Sequence, residues 1–413
     1  MRYLALFLCS AIFFACSFDN PAKETEEPSE IEYCRWLLEE LYLWELPKDK
    51  DSFTVPESLF AKVEDPYTRY VAPIKAPESE ESSQTSFSSG EIGIELGLQT
   101  GADFPLLAYR IYPESPAARK HIPRFATLIS LNGYTLKGDS ALDTYRNVLA
   151  KNDTVSLTYS FNQDTVNVEL VKEKIILPTV FLDTLNDSIS LFSLKEFREQ
   201  TFDRENGTLG ELKTLLKNLT PSTKQLIIDL RNNTGGSLRQ CSEAADLFVK
   251  EGVLFSIREN QLYSDGKARQ IEKIYRAKEN SSGEEFDIVL FINGRTASCA
   301  EIFTLALATG NPKVKTIGTK TFGKGIAQGL WKTPEGALLY ITSMQIYNRF
   351  GESYHAQGIL PDYSCEGNYY NCLAQINSPL ASLKSKVILS NSVTEIKKDS
   401  FGEAFFEGKI LKP

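Results

Sequence analysis

In IEYCRWLLEELYLWELP, apolar side chains recur at helical spacing: Ile31, Cys34, Leu37, Leu38, Leu41 and Tyr42 share one stripe, and Pro47 ends the run. The pattern predicts an amphipathic helix packed on a core. SLFAKVEDPYTRYVAP follows as a short helix and a proline-marked turn, and KAPESEESSQTSFSSG reads as a serine-rich connection with a boundary near residue 85. From residue 87 to 174 the period shortens. EIGIELGL, PLLAYRIYP, ATLISLNGYTL, DTVSLTYS and DTVNVELVKEKI read as strands, with a turn at Asn132-Gly133 and short helices at SPAARK and DSALDTYRNVLA. Many short strands and two short helices make a small, partly open β-barrel.

From residue 175 strands alternate with helices. DSISLFSLKEF, KQLIIDL, FDIVLFI and KVKTIG are strands; GTLGELKTLLKNL, LRQCSEAADLFVKEG and CAEIFTLALATG are helices, the second stopped at Gly252 and the third at Gly310. Such alternation implies parallel pairing with right-handed crossovers, hence one α/β domain.

Before these blocks, MRYLALFLCSAIFFACSFDN has a basic residue, Arg2, and an apolar run too short to span a membrane comfortably, ending at Ala15-Cys16. A small residue before a cysteine there resembles a bacterial lipoprotein signal, which implies export and a lipid on Cys16; a conventionally cleaved signal is the alternative. SFDNPAKETEEPSE is too polar and acidic to fold, so it reads as a tether.

The 413 residues suffice for two or three domains, and 42% hydrophobic content fits a buried core. A net charge of −9 offers nucleic acid no basic field. With only His121 and His355, neither a His-rich metal site nor a usual histidine triad is at hand, and no metal or cofactor is expected. Beyond the signal the cysteines are Cys34, Cys241, Cys299, Cys365 and Cys372: an odd set, so at least one thiol stays free. A bridge between Cys365 and Cys372 could close EGNYYN, while Cys299 reads as a small buried hydrophobe rather than a reactive thiol.

Chemistry gathers where the βαβ topology brings strand ends together. Ser298 follows the strand ending at Ile292, Lys324 follows the one ending near Gly318, and Gly235-Gly236 follow LIIDL and open a helix, so their N–H groups can face an anion. Acyl transfer needs a nucleophile, a base and oxyanion donors. A lysine serves as base only when neutral, so its pKa must fall from about 10.4 to nearer 7, a cost of about 4 to 5 kcal/mol that burial can impose. Phe322, Gly323, Gly325 and Ile326 around Lys324 suit burial, and Gln328 can orient the amine without adding charge. Singly each piece is weak. Ser298 with Glu301 three residues later also spells a capping box, a lysine between glycines is commonly a solvated loop charge, and TFGKGIAQ lacks the spacing of a P-loop.

Together, LIIDLRNNTGGSL, NGRTASCAEIF, IGTKTFGKGIAQ and GILPD, preceded by YLWELP and DPYTRY, resemble the C-terminal processing peptidases (tail-specific proteases, S41 serine peptidases) over residues 31 to 363. The resemblance implies an α/β multi-domain chain: a crotonase/ClpP-like α/β peptidase core at 175–375, a small β-rich PDZ-like domain at 85–174, an N-terminal helical segment at 31–84, a lipoprotein-type signal at 1–16, a tether at 17–30 and an extension at 376–413. It implies that Ser298 is the nucleophile, Lys324 the general base and Gln328 its helper. Backbone N–H groups of Gly235 or Gly236 and of Cys299 would form the oxyanion hole. Ile92, Gly93 and Ile94 match the PDZ carboxylate-binding loop, where a peptide C-terminus docks by strand addition. Thr234 stands where the family usually has proline, Cys299 where it usually has a small residue, and Lys120-His121 and Phe125-Ala126 depart from the usual PDZ glycines. His355 is the rival base and reads as a loop residue; Asp229 and Arg231 read as a structural pair. The expected function is a Ser-Lys endopeptidase acting on exported proteins with exposed, apolar C-terminal tails, lipid-anchored to the bacterial cell envelope. The alternatives are a non-catalytic peptide-binding lipoprotein and, less compatible with export, an acyl-CoA enzyme of the crotonase kind.

Overall fold

The computed structural model describes residues 28–99, 101–278, 283–366 and 372–373. Cys16 with its signal-like segment, most of the tether and the 376–413 extension lie outside the described residues.

Helix α1 (Glu30–Leu41) buries Cys34, Leu37, Leu38 and Leu41, the predicted stripe. Glu32 caps its start by accepting from Ser29 N at 2.9 Å. Helix α2 (Pro56–Phe60) and strand β1 (Arg69–Val71) follow. The serine-rich connection is not a loop but helix α3 (Ala76–Gln84). Proline in its first turn, Glu78 beside the N-terminal dipole and several good helix formers explain the difference. The Ser79 and Tyr340 hydroxyls bond at 3.0 Å and hold α3 to the core.

The chain enters the small domain through β2 (Phe87–Glu91). It then forms β3 (Ile94–Leu98), β4 (Leu106–Ile111), α4 (Pro116–Arg119), β5 (Thr127–Leu131), β6 (Tyr134–Thr135), α5 (Ala141–Lys151), β7 (Thr154–Phe161) and β8 (Asp164–Val171), and leaves through β9 (Glu173–Ile176). Entry and exit strands pair antiparallel, so the domain hangs from a two-stranded ribbon. Its sheet runs β3-β4-β5-β7-β8 with β6 beside β5, and Leu96, Ala108, Leu128, Tyr145 and Leu157 fill its interior.

The core builds β10 (Val180–Asn186), β11 (Ile189–Leu194), α6 (Gly207–Lys217), β12 (Gln225–Asp229), α7 (Leu238–Asp246), β13 (Val253–Leu262), β14 (Ala268–Arg276), β15 (Asp287–Ile292), α8 (Cys299–Gly310), β16 (Val314–Gly318), β17 (Ile326–Lys332), β18 (Leu338–Asn348) and β19 (Tyr363–Ser364). One sheet has the order β10-β11-β12-β15-β16-β19, parallel throughout except for β10 against β11. Alternation along its strands gives two buried faces. Ile228, Leu290 and Ile292 meet Cys241, Phe248 and Phe303 of the α7–α8 side, whereas Ile227, Val289 and Phe291 meet Tyr109 and Phe125 of the small domain. Buried charges cement the second contact. Arg110 of β4 donates to Glu95 at 3.2 Å and to Asp183 of β10 at 3.3 Å, and Arg124 donates to Asp183 at 2.7 Å.

A second sheet, which a single α/β reading does not contain, has the order β1-β18-β13-β14 with β17 beside β18. Leu339 and Ile341 of β18 pack on the buried stripe of α1, so the N-terminal helices roof this sheet. Helix α7 ends at Asp246 rather than at Gly252. Disulfides join Cys365 to Cys372 and Cys241 to Cys299, so Cys299 is buried, as its surroundings suggested, and is also bridged, a pairing the sequence reading did not name. Cys34 stays free, and burial pushes its thiol up to about 12.

Candidate active site

Parallel pairing of β12, β15 and β16 puts Asp229 opposite Phe291 and Ile292 opposite Gly318, so all three strands end at one edge. The glycine, serine and lysine loops leave from that edge. Ala297 N donates to Asn233 O at 2.9 Å, joining the serine loop to the glycine loop; Phe322 N donates to Thr296 O at 3.0 Å, joining it to the lysine loop.

Ser298 sits at the mouth of α8 with φ 54° and ψ −122°. A non-glycine residue there is strained, the kind of turn that thrusts a nucleophile out of a strand-to-helix elbow. Gly235 explains the close fit: a Cβ on it would lie 2.8 Å from Cys299 N, 2.9 Å from Ala297 O and 2.9 Å from Ser298 Cβ, and its φ of 102° also favours glycine. The donor assignment narrows. Gly235 N already donates to Asn233 Oδ1 at 2.9 Å, so it is committed elsewhere and the oxyanion reading falls to Gly236 N with Cys299 N. Gly236 is pinned from behind, since Phe197 N donates to Gly235 O at 2.9 Å and Ser237 N to Phe197 O at 2.8 Å.

Glu301 does more than cap a helix. Its buried carboxylate accepts from Ser298 N at 2.9 Å, Thr321 Oγ1 at 2.5 Å, Gly323 N at 2.7 Å and Lys324 N at 2.8 Å, clamping serine and lysine loops together. Burial raises its pKa above the usual carboxylate range, against those four bonds. The Ser-x-x-Glu spacing was the available signal, and it matched an ordinary capping box.

Lys324 is mostly buried, and burial lowers its pKa to about 8; the negative charge of Asp65 opposes that shift and Arg69 supports it. Its Nζ donates to Gln328 Oε1 at 2.9 Å and lies 4.1 Å from the centre of the Tyr67 ring. Asp65, Tyr67 and Arg69 belong to DPYTRY, a segment sequence reasoning placed only in a helical N-terminal part. His355 packs behind the lysine loop: a Cβ on Gly325 would lie 2.8 Å from His355 N, and the imidazole stacks on Trp44 with centroids 5.9 Å apart. Arg231 donates to Asp229 at 2.9 and 2.7 Å at the strand end, and its guanidinium lies over the Phe291 ring, 5.1 Å from the ring centre. In the small domain Ile92 and Ile94 are buried. Gly93 has no room for a side chain, because a Cβ would collide with Ser115 Cβ at 2.0 Å.

A buried amine of lowered pKa and a serine in a strained elbow, on one sheet edge beside two N–H donors, are the equipment of a serine-type hydrolase. Residues 189–365 match the model for Peptidase family S41. A Staphylococcus aureus (strain N315) protein named "Probable CtpA-like serine protease" is 28% identical over 348 residues, 84% of this chain and 66% of that protein. A protein of the same name from Staphylococcus saprophyticus is 26% identical over 362 residues, 86% of this chain and 69% of its own length. The chain thus spans about two thirds of the length of these relatives. A solved Bacteroides fragilis structure assigned to the S41 proteases superposes with a TM-score of 0.53 at 17% identity, covering 81% of this chain and 90% of that one, which shows the shared fold. Over residues 189–365 the chain thus matches the S41 peptidases, and along most of its length it is similar to proteins named as CtpA-like serine proteases.

Proposed function

We propose that the chain is a serine endopeptidase in which Ser298 attacks the scissile carbonyl, Lys324 takes and returns the proton, Gln328 holds the lysine, and Gly236 N with Cys299 N receives the oxyanion. The observation that carries this reading is the buried Lys324 amine, held by Gln328 at 2.9 Å. An ordinary surface lysine is protonated at neutral pH and cannot act as a base, whereas a pKa of about 8 leaves a working neutral fraction. Lys324 Nζ keeps the serine proton until the leaving amine collects it; a water then attacks the acyl-serine ester, giving its proton to Lys324, which passes it to Ser298 Oγ as the new carboxyl end leaves.

Its substrates are exported proteins with exposed, apolar C-terminal tails, which the small domain presents to the core through Ile92–Ile94. The chain is held to the bacterial cell envelope by a lipid on Cys16. The family resemblance and the N-terminal sequence support these readings. Purified protein is incubated with an unfolded substrate ending in an apolar tail, alongside Ser298→Ala and Lys324→Ala, and the products are read by mass spectrometry. Cleavage by the parent alone is expected; turnover by either variant refutes the dyad. Loss of cleavage when the tail is made acidic tests tail recognition, and loss of a fatty-acid label in Cys16→Ser tests the anchor.

A further inference from the structure

Gln328 is an amide with two chemically opposite ends, and only one serves Lys324. With Oε1 toward Nζ, the amide accepts an amine hydrogen and leaves the lone pair for serine. Reversed, it aims N–H hydrogens at the amine. The surrounding bonds decide. Gln328 Nε2 donates to Thr342 Oγ1 at 2.9 Å, and Thr342 Oγ1 donates to Asp65 Oδ2. A hydroxyl has one proton and an ionised carboxylate only accepts, so the Thr342 proton belongs to Asp65. Its lone pairs face Gln328, and the Gln328 oxygen is left facing Lys324.

Asp65 is built for this place. It is buried, with 7% exposure, and among the described residues no lysine or arginine lies within ion-pair distance of it. Its charge rests on hydrogen bonds: Oδ1 accepts from Tyr67 N at 2.9 Å, and Oδ2 accepts from Thr68 Oγ1 at 2.7 Å as well as from Thr342. Thr68 Oγ1 in turn accepts from Thr342 N at 3.0 Å, fixing the register of the N-terminal segment against β18. A buried, unpaired carboxylate is costly to maintain.

We infer that Asp65 and Thr342 are positioning residues for the base, so the proton acceptor, Lys324 Nζ, is held by the chain Gln328–Thr342–Asp65, and the N-terminal DPYTRY segment is a working part of the catalytic machinery. The inference rests on the Ser298–Lys324 reading. Asp65 balances the ammonium that forms when Lys324 takes the serine proton, yet two neutral side chains keep it from pairing with the lysine and holding it charged at rest. No proton leaves Nζ along the chain; the bonds orient and polarise.

The test compares Thr342→Val, which removes the hydroxyl at equal volume, with Thr342→Ser, which keeps it. Asp65→Asn is added, whose amide can donate to Thr342 and so reverse the whole chain. The Ser298→Ala and Lys324→Ala variants run in parallel. Turnover and KM on an unfolded protein substrate are measured between about pH 6 and 10, with melting curves for each variant. The ionisable groups around the amine are Asp65, Tyr67 and Arg69 from the N-terminal segment, Glu301 through the Lys324 backbone, and His355 behind Gly325.

Thr342→Val lowers kcat by about 10- to 100-fold with KM within about 2-fold, and Thr342→Ser restores kcat to within about 3-fold of the parent. Asp65→Asn lowers kcat similarly and moves the acid limb of the profile to lower pH, because a negative charge that favours the ammonium is gone. If valine and serine variants both match the parent while Ser298→Ala and Lys324→Ala are dead, the positioning role is overturned. If Ser298→Ala or Lys324→Ala keeps turnover, the dyad beneath it has failed instead. Should Asp65→Asn not fold, the valine and serine pair decides.

Discussion

Lys324 imposes a stability cost that its replacement should expose. Lys324→Met keeps the apolar stem and removes the amine. In the folded chain burial lowers this lysine from 10.5 to about 8, so at about 1.4 kcal/mol per pKa unit its ammonium takes up to about 3 kcal/mol from stability at neutral pH. The sign follows from the direction. Below about pH 8 both folded and unfolded chains carry the proton and the full cost applies. Between about 8 and 10.5 the unfolded chain holds a proton the folded chain has released, so stability rises with pH; above that range both are neutral and the cost is gone. Partial solvent access and the lost bond to Gln328 reduce the gain, so Lys324→Met should exceed the parent by about 2 kcal/mol at pH 7 and by much less near pH 10. Urea unfolding followed by tryptophan fluorescence at the two pH values measures it, with peptidase activity abolished in the same sample. Equal stability at pH 7, or a difference that ignores pH, would refute a buried, pKa-depressed lysine.

Cleavage by the parent should rise about tenfold from pH 7 to pH 9 as Lys324 becomes neutral, read as kcat/KM on a pH-stable substrate. Glu301→Gln leaves one acceptor where four donors converge and turns an N–H toward backbone N–H groups; kcat should drop by about 100-fold or more, with about 2 to 4 kcal/mol lost in urea unfolding. Gly235→Ala pushes a methyl against Cys299 N and Ser298 Cβ, so kcat should fall by about 100-fold while KM moves little. Alkylation of the denatured, unreduced protein should label Cys34 and spare Cys241, Cys299, Cys365 and Cys372, which peptide mapping checks.

Local pattern determined a great deal. The stripe of α1, the strand-helix alternation after residue 175 and the glycines past LIIDL are short-range features, and parallel order then forces Ser298, Lys324 and Gly235-Gly236 to one sheet edge. Low complexity misled at α3, because a run of Glu, Ser and Ala is compatible with a helix once a core residue such as Tyr340 receives it.

What sequence could not supply was long-range. Glu301 looks like a cap from its spacing, and only the fold brings Gly323 and Lys324 N–H groups to its carboxylate. Gly235 and Gly236 are equivalent as letters; the Asn233 side chain distinguishes them by occupying one N–H. Asp65 and Thr342 are 277 positions apart, and nothing local predicts that one hydroxyl will link them. Backbone propensity and hydrophobic period act over a few residues and are written along the chain, whereas the protonation of a lysine depends on what burial places around it. The proposed nucleophile and base are therefore legible as types and spacing, and the environment that would let them react belongs to the tertiary structure.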